Sequence, residues 1–105
     1  MKRIILILAL LLITSCTAQN TVQNNPLDVS IQSFNFSPGE LTIKVGETVT
    51  WTNYDNAQHT VTGNGFSSGT LDVEQSFMHT FTEPGTYKYH CNFHSSMNGK
   101  VIVTF

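Results

Sequence analysis

Near the end of the sequence, Cys91-Asn92-Phe93-His94-Ser95-Ser96-Met97 sets a thiol, an imidazole and a thioether at even spacing, just ahead of the turn dipeptide Asn98-Gly99. A tight loop of that length can fold the three side chains onto one point. Sulfur donors are soft and select copper, and two imidazoles with one thiolate in a trigonal plane, plus a long axial thioether, make the blue-copper electron-transfer geometry. One histidine is missing from the loop. His59 is the natural candidate, because it follows the irregular segment Tyr54-Asp55-Asn56-Ala57-Gln58 and opens a short strand expected over residues 59–62. A lone histidine is ordinarily a surface or core residue and a lone methionine ordinarily fills a core. The four together are a metal-ligand set.

The elements that must position these residues are strands. Leu27, Val29 and Ile31 alternate with Asp28, Ser30 and Gln32, and Leu41, Ile43 and Val45 alternate with Thr42 and Lys44, a period of two that marks half-buried strands. Ser37-Pro38-Gly39-Glu40 and Gly46-Glu47 supply turn chemistry between the strands. In residues 48–53, Val49 and Trp51 fall on one face and Thr48, Thr50 and Thr52 on the other; branching at Cβ suits threonine to a strand. Residues 63–69 read as a loop. Phe77, His79 and Phe81 then alternate with Met78 and Thr80, Glu83-Pro84-Gly85 turns the chain, Tyr87, Tyr89 and Cys91 share one face, and Val101, Val103 and Phe105 share another. No segment shows helical periodicity. Seven to eight short strands at this spacing predict an all-β antiparallel sandwich or barrel.

The N-terminus has a different character. Lys2 and Arg3 precede an apolar run from Ile4 to Ile13 and then Thr14-Ser15-Cys16, which is export-signal architecture. Ten apolar residues are about half of the roughly 20 that a membrane-spanning helix needs. The ending Ile13-Thr14-Ser15-Cys16 resembles a prokaryotic lipobox and implies cleavage before Cys16 and its lipidation; the alternative is an ordinary signal cut near Thr17-Ala18. Both export the protein. The expected organisation is therefore a signal peptide over residues 1–15, a lipidated Cys16 with a flexible polar tether to residue 26, and a single domain over residues 27–105, held at the membrane on the periplasmic or cell-surface side.

Cysteine usage supports the metal. Two cysteines in an exported chain would ordinarily pair, but lipidation of Cys16 leaves Cys91 single, and a free thiol in an oxidising compartment calls for an explanation. A metal-bound thiolate is one. After Cys16, Lys44, Lys88 and Lys100 stand against Asp28, Glu40, Glu47, Asp55, Asp72, Glu74 and Glu83, a net charge of −4. Nucleic acid is accordingly not an expected partner.

From about residue 29 to 105 the sequence resembles the cupredoxins, in particular the small amicyanin- and plastocyanin-like members. The likeness rests on Val49-Thr50-Trp51-Thr52-Asn53, on His59-Thr60-Val61, on the run from Phe81-Thr82-Glu83-Pro84-Gly85 through Tyr87-Lys88-Tyr89-His90-Cys91, and on Met97-Asn98-Gly99-Lys100-Val101-Ile102-Val103. The two-residue gaps on either side of His94 are amicyanin-like. The resemblance implies an eight-stranded Greek-key β-sandwich with one copper ion at its upper end, cycling between Cu(I) and Cu(II). It implies His94 reaching the surface through a hydrophobic patch, where redox partner proteins dock on a monomer. Many relatives carry a proline beside His94, where this chain has Phe93 and Ser95.

Asn53, Thr60 and Asn92 adjoin the ligands and are candidates to hydrogen-bond around the thiolate and tune its potential; they equally suit ordinary turn and strand-end positions. His90 alternates with Cys91 and is expected to face solvent. His79 is expected to be half-buried and structural, and Trp51, Phe81, Tyr87 and Tyr89 to be core. The leading reading is an electron carrier that turns over no substrate. Cell-surface copper binding and delivery is the alternative, against which the absence of clustered methionines or histidines counts. An enzyme built from such domains would need a further copper centre, which His79 and His90 do not make.

Overall fold

The structure, a computed structural model, describes residues 27–105. The expected signal peptide, Cys16 and tether lie outside the described residues. Nine strands run through the described residues: β1 (Asp28–Gln32), β2 (Asn35–Ser37), β3 (Glu40–Lys44), β4 (Thr48–Asn53), β5 (Thr62–Gly63), β6 (Phe66–Ser67), β7 (Ser76–Thr80), β8 (Gly85–His90) and β9 (Asn98–Thr104). They form two sheets, one in the order β2-β1-β4-β7 and the other β3-β9-β8-β5-β6.

The all-β sandwich expected from the period-two pattern is present, with two corrections. The sheets are mixed rather than antiparallel, because β1 pairs parallel to β4 and β3 parallel to β9. Parallel neighbours cannot be joined by a tight hairpin. The chain therefore leaves the first sheet after β2, adds β3 to the second, and returns through the turn at Gly46, whose φ of 93° suits a residue without Cβ.

The second correction concerns residues 59–69. The expected strand over 59–62 shrinks to Thr62–Gly63, while His59 makes only an isolated bridge to Leu71. The amides between them are used elsewhere: Thr60 N–H donates to Cys91 Sγ and Val61 N–H to Ser68 Oγ. The expected loop over 63–69 contains instead a hairpin, Thr62–Gly63 against Phe66–Ser67. Asn64-Gly65 is its two-residue turn, with Gly65 at φ 94°, as tight hairpins prefer. Phe105, expected to share a face with Val101 and Val103, is 89% exposed beyond the end of β9.

Burial follows the alternation. In β4 Val49, Trp51 and Asn53 are buried and the threonines are half-buried. Trp51 is wholly buried and lies edge-on to Tyr89 of the facing sheet, ring centroids 5.4 Å apart. Val29, Ile31, Ile43, Phe81, Val101 and Val103 join the same cluster. Burial of such side chains contributes about 1.5–3 kcal/mol each, and this core packs β4 of one sheet against β8 of the other.

Candidate metal centre

Each ligand candidate sits where a strand gives way to irregular chain. His59 follows the loop after β4, and Cys91 is the first residue past β8. The loop from Cys91 returns the chain to β9 and is closed internally, with Cys91 N–H donating to Met97 carbonyl oxygen at 3.2 Å and Met97 N–H to His94 carbonyl oxygen at 3.0 Å. His59, Cys91 and Met97 are buried, whereas His94 is half-exposed.

One donor atom each from His59, Cys91 and His94 lies within 4.8 Å of the other two. Cys91 Sγ is 3.7 Å from His59 Nδ1. A metal–sulfur bond of about 2.3 Å and a metal–nitrogen bond of about 2.0 Å, opened to a trigonal angle of roughly 120°, would separate the two donors by about 3.7 Å. The donor set and its spacing therefore fit one small transition-metal ion. Met97, also buried, is tied to Cys91 through the backbone of the same loop.

Around the thiol, Thr60 N–H donates to Cys91 Sγ at 3.4 Å, and Asn92 N–H donates to Thr60 Oγ1 at 2.8 Å. Of Asn53, Thr60 and Asn92, Thr60 bonds the sulfur through its backbone N–H, and the Asn92 backbone bonds the Thr60 hydroxyl rather than the sulfur. The Asn92 side chain turns away to His90 Nε2 at 3.1 Å. Asn53, buried, is engaged with the chain that leads to His59: its amide group donates to Ala57 and Leu71 carbonyl oxygens at 3.0 and 2.9 Å, and its Oδ1 accepts Asp55 N–H at 2.9 Å. These bonds shape the loop rather than touch the sulfur.

Two residues that sequence reasoning passed over complete the surroundings. Asp55 Oδ2 lies 2.9 Å from His59 Nε2, on the side of the ring away from Cys91. Burial raises the Asp55 carboxyl, but the N–H groups of Phe34 and Ser33 and the His59 ring outweigh it and hold it below the ordinary aspartate value. Phe34, in the turn between β1 and β2, stands edge-on to both imidazoles, with centroids 4.9 Å from His59 and 4.8 Å from His94. A carboxylate partner for a metal-bound histidine is a recurring arrangement, yet no spacing rule places one inside an irregular segment.

Phe34 and Phe93 are 46% and 51% exposed, so half-exposed His94 emerges between aromatic side chains. His90 is exposed on the opposite face from Cys91, and His79 is half-buried against Phe66 and Phe81; both stand apart from the site as expected.

Comparison with known proteins agrees with this architecture. Amicyanin of Paracoccus denitrificans is 39% identical over 92 residues, covering 78% of this chain and 68% of the relative. Amicyanin-alpha of Methylorubrum extorquens is 36% identical over 96 residues, covering 82% and 81%. Among solved structures, a Cu(I) form of an amicyanin mutant superposes with a TM-score of 0.71 at 39% identity, covering 78% of this chain and 85% of that one. Residues 3–103 match the family model of the cupredoxin-like domain. With that match spanning nearly the whole sequence, and two sheets packed as it requires, the chain belongs to the cupredoxin family.

Proposed function

We propose that the protein is a type 1 blue-copper electron-transfer protein that carries single electrons between extracytoplasmic redox partners, with His59, Cys91, His94 and Met97 as ligands to one copper ion. The observation that carries this reading is the convergence of two imidazoles and one thiol within 4.8 Å, beside a buried methionine, in a chain of amicyanin-like sequence. Bound copper supplies a one-electron Cu(II)/Cu(I) couple.

The surrounding residues hold the donors still while the charge changes. Thr60 and the loop bonds from Met97 fix the sulfur, and Asp55 and Phe34 fix the His59 ring. A site that need not rearrange keeps the cost of each electron transfer small. Half-exposed His94, flanked by Phe34 and Phe93, is the proposed point of approach for partner proteins, on a monomer. Residues 1–15 as a signal peptide and lipid on Cys16 would place the domain at the outer side of a membrane.

The test is an optical and electron-spin-resonance spectrum of the protein on adding Cu(II), alongside Cys91→Ser. The expected result is an intense visible charge-transfer band with reversible one-electron electrochemistry, and loss of the band in the variant. A colourless Cu(II) complex of the unaltered protein would refute the reading.

A further inference from the structure

The lysines of the described residues, Lys44, Lys88 and Lys100, all stand on the outer face of the second sheet. Ile43, Tyr89 and Val101 point into the core and are buried, so Lys44, Lys88 and Lys100, each one residue away, point outward. Lys88 lies directly opposite Lys100 in the β8–β9 ladder, and Glu40 lies opposite Lys100 in the β3–β9 pair. Like charges placed opposite each other destabilise a sheet. The contact of Lys100 Nζ with Glu40 Oε1, 3.6 Å between exposed side chains, contributes little. Folding stability does not account for the arrangement.

The acids are distributed differently. Glu40 is the acid among the outward strand residues of this face, and Glu47 sits at its rim, accepting the Lys44 N–H. Asp28 lies on the outer face of the other sheet, and Asp55, Asp72, Glu74 and Glu83 lie in loops. In a domain of net charge −4, positive charge is thus gathered on one surface. The chain also enters the domain there: Leu27, the first described residue, lines a surface depression with Ile43, Lys44 and Thr104. The ten residues before it, Thr17 to Pro26, are uncharged, so a charged surface neither draws them in nor repels them.

We propose that the outer face of the second sheet rests on anionic phospholipid, with Lys44, Lys88 and Lys100 meeting the headgroup phosphates. The inference deepens the membrane placement given above and rests on it for its setting in the cell. Three lysines are fewer than the roughly four to eight basic residues that bring a segment to such a surface unaided. A lipid on Cys16 already holds the domain close, so the lysines need only decide which face turns inward. The acids on the other surfaces are repelled by the same headgroups. The loop from Cys91 to Met97 joins β8 and β9 at the end away from Lys44. A domain lying on this face therefore turns His94 sideways, open to partners that move along the membrane.

The experiment holds the full chain on vesicles through a maleimide lipid coupled to Cys16; its other thiol, Cys91, is buried. Met78→Lys, present in every sample, puts a reference amine on the outer face of the first sheet, where Met78 is 65% exposed. Acetylation by an amine reagent is followed by mass spectrometry on vesicles of phosphatidylcholine, with and without phosphatidylglycerol. Lys88 and Lys100 are expected to react about fivefold more slowly on the anionic vesicles, the factor that the attraction of one lysine to such a surface supports. The reference amine should keep its rate, and high salt should abolish the difference. Lys88→Gln with Lys100→Gln should restore the rate at Lys44. Gln32→Glu with Thr50→Glu, which lowers the net charge equally on the first sheet, should leave it slow.

Equal slowing at the reference amine, or the same rates at Lys88 and Lys100 on both kinds of vesicle, would overturn the proposal. So would slow labelling of Lys44 that survives the loss of Lys88 and Lys100. The coupled lipid makes these results independent of processing in the cell. The mass of the protein recovered from cell membranes tests lipid on Cys16 by itself, and its absence would count against the membrane placement alone.

Discussion

The backbone N–H of Thr60 donates to Cys91 Sγ at 3.4 Å although 31 residues separate them, while Thr60 Oγ1 accepts the N–H of the next residue, Asn92, at 2.8 Å. A single residue therefore holds Cys91 on both sides, one bond to its sulfur and one to the chain just beyond it. Thr62 Oγ1, 2.9 Å from Thr60 Oγ1, orients the hydroxyl.

Thr60→Val separates the two bonds, since it keeps the shape and the N–H but removes the oxygen that Asn92 uses. Leaving a partly buried N–H unpaired costs about 1–3 kcal/mol. The metal-free variant should lose that much stability in urea unfolding, while the Cu(II) band keeps its wavelength because the bond to sulfur remains. A stability equal to that of the unaltered protein would show the hydroxyl to be dispensable.

Phe34→Ala removes a ring that touches both imidazoles. Aromatic pairs contribute about 0.5–1.5 kcal/mol beyond the area they bury. Copper capture by a chelator is expected to become roughly five-fold faster, the equivalent of about 1 kcal/mol. An unchanged rate would mean that the ring does not help retain the metal.

Gly99 lies opposite Tyr89 in the β8–β9 ladder. A Cβ at Gly99 would collide with Tyr89 Cζ and Oη. Tyr89 has no easy retreat, because it is buried between Phe36 and Trp51 at centroid distances of 4.7 and 5.4 Å. Gly99→Ala should destabilise the protein by about 1–3 kcal/mol through overpacking and alter the near-ultraviolet circular dichroism of the aromatic cluster. Unfolding that matches the unaltered protein would contradict this.

His79 makes stability depend on pH. Burial against Phe66, stacked at 4.7 Å, and Phe81, edge-on at 4.6 Å, holds its pKa below the ordinary 6.5. The folded state thus binds this proton less readily than the unfolded chain. The resulting stability is fully present above about pH 6.5 and declines as pH falls through the folded-state value. His79→Phe should flatten the fall in stability between neutral and mildly acid pH, measured as the difference between the two urea-unfolding profiles. Parallel profiles would exclude the effect.

Local chemistry was readable where neighbours in sequence are also neighbours in space. Alternation placed Val49, Trp51, Phe77 and His79 on the correct faces, and the spacing of Cys91, His94 and Met97 outlined the loop. The hairpin at Asn64-Gly65 was less legible, because its strands are two residues long and too short to alternate. His59 misled as a strand residue for a related reason: the amides that follow it serve a sulfur and a serine rather than a ladder.

The sequence by itself determined the donor types and the period-two pattern, since side-chain softness and strand alternation are properties of a residue and its near neighbours. Tertiary structure decided which distant residues meet them. Asp55 reaches the Ser33 amide 22 residues away, and Thr60 reaches Cys91 across 31, through a parallel β1–β4 pairing and a mixed second sheet that no local pattern specifies. These contacts depend on how the two sheets pack around Trp51, and burial of that shared core is the physical reason that only the folded chain brings them together.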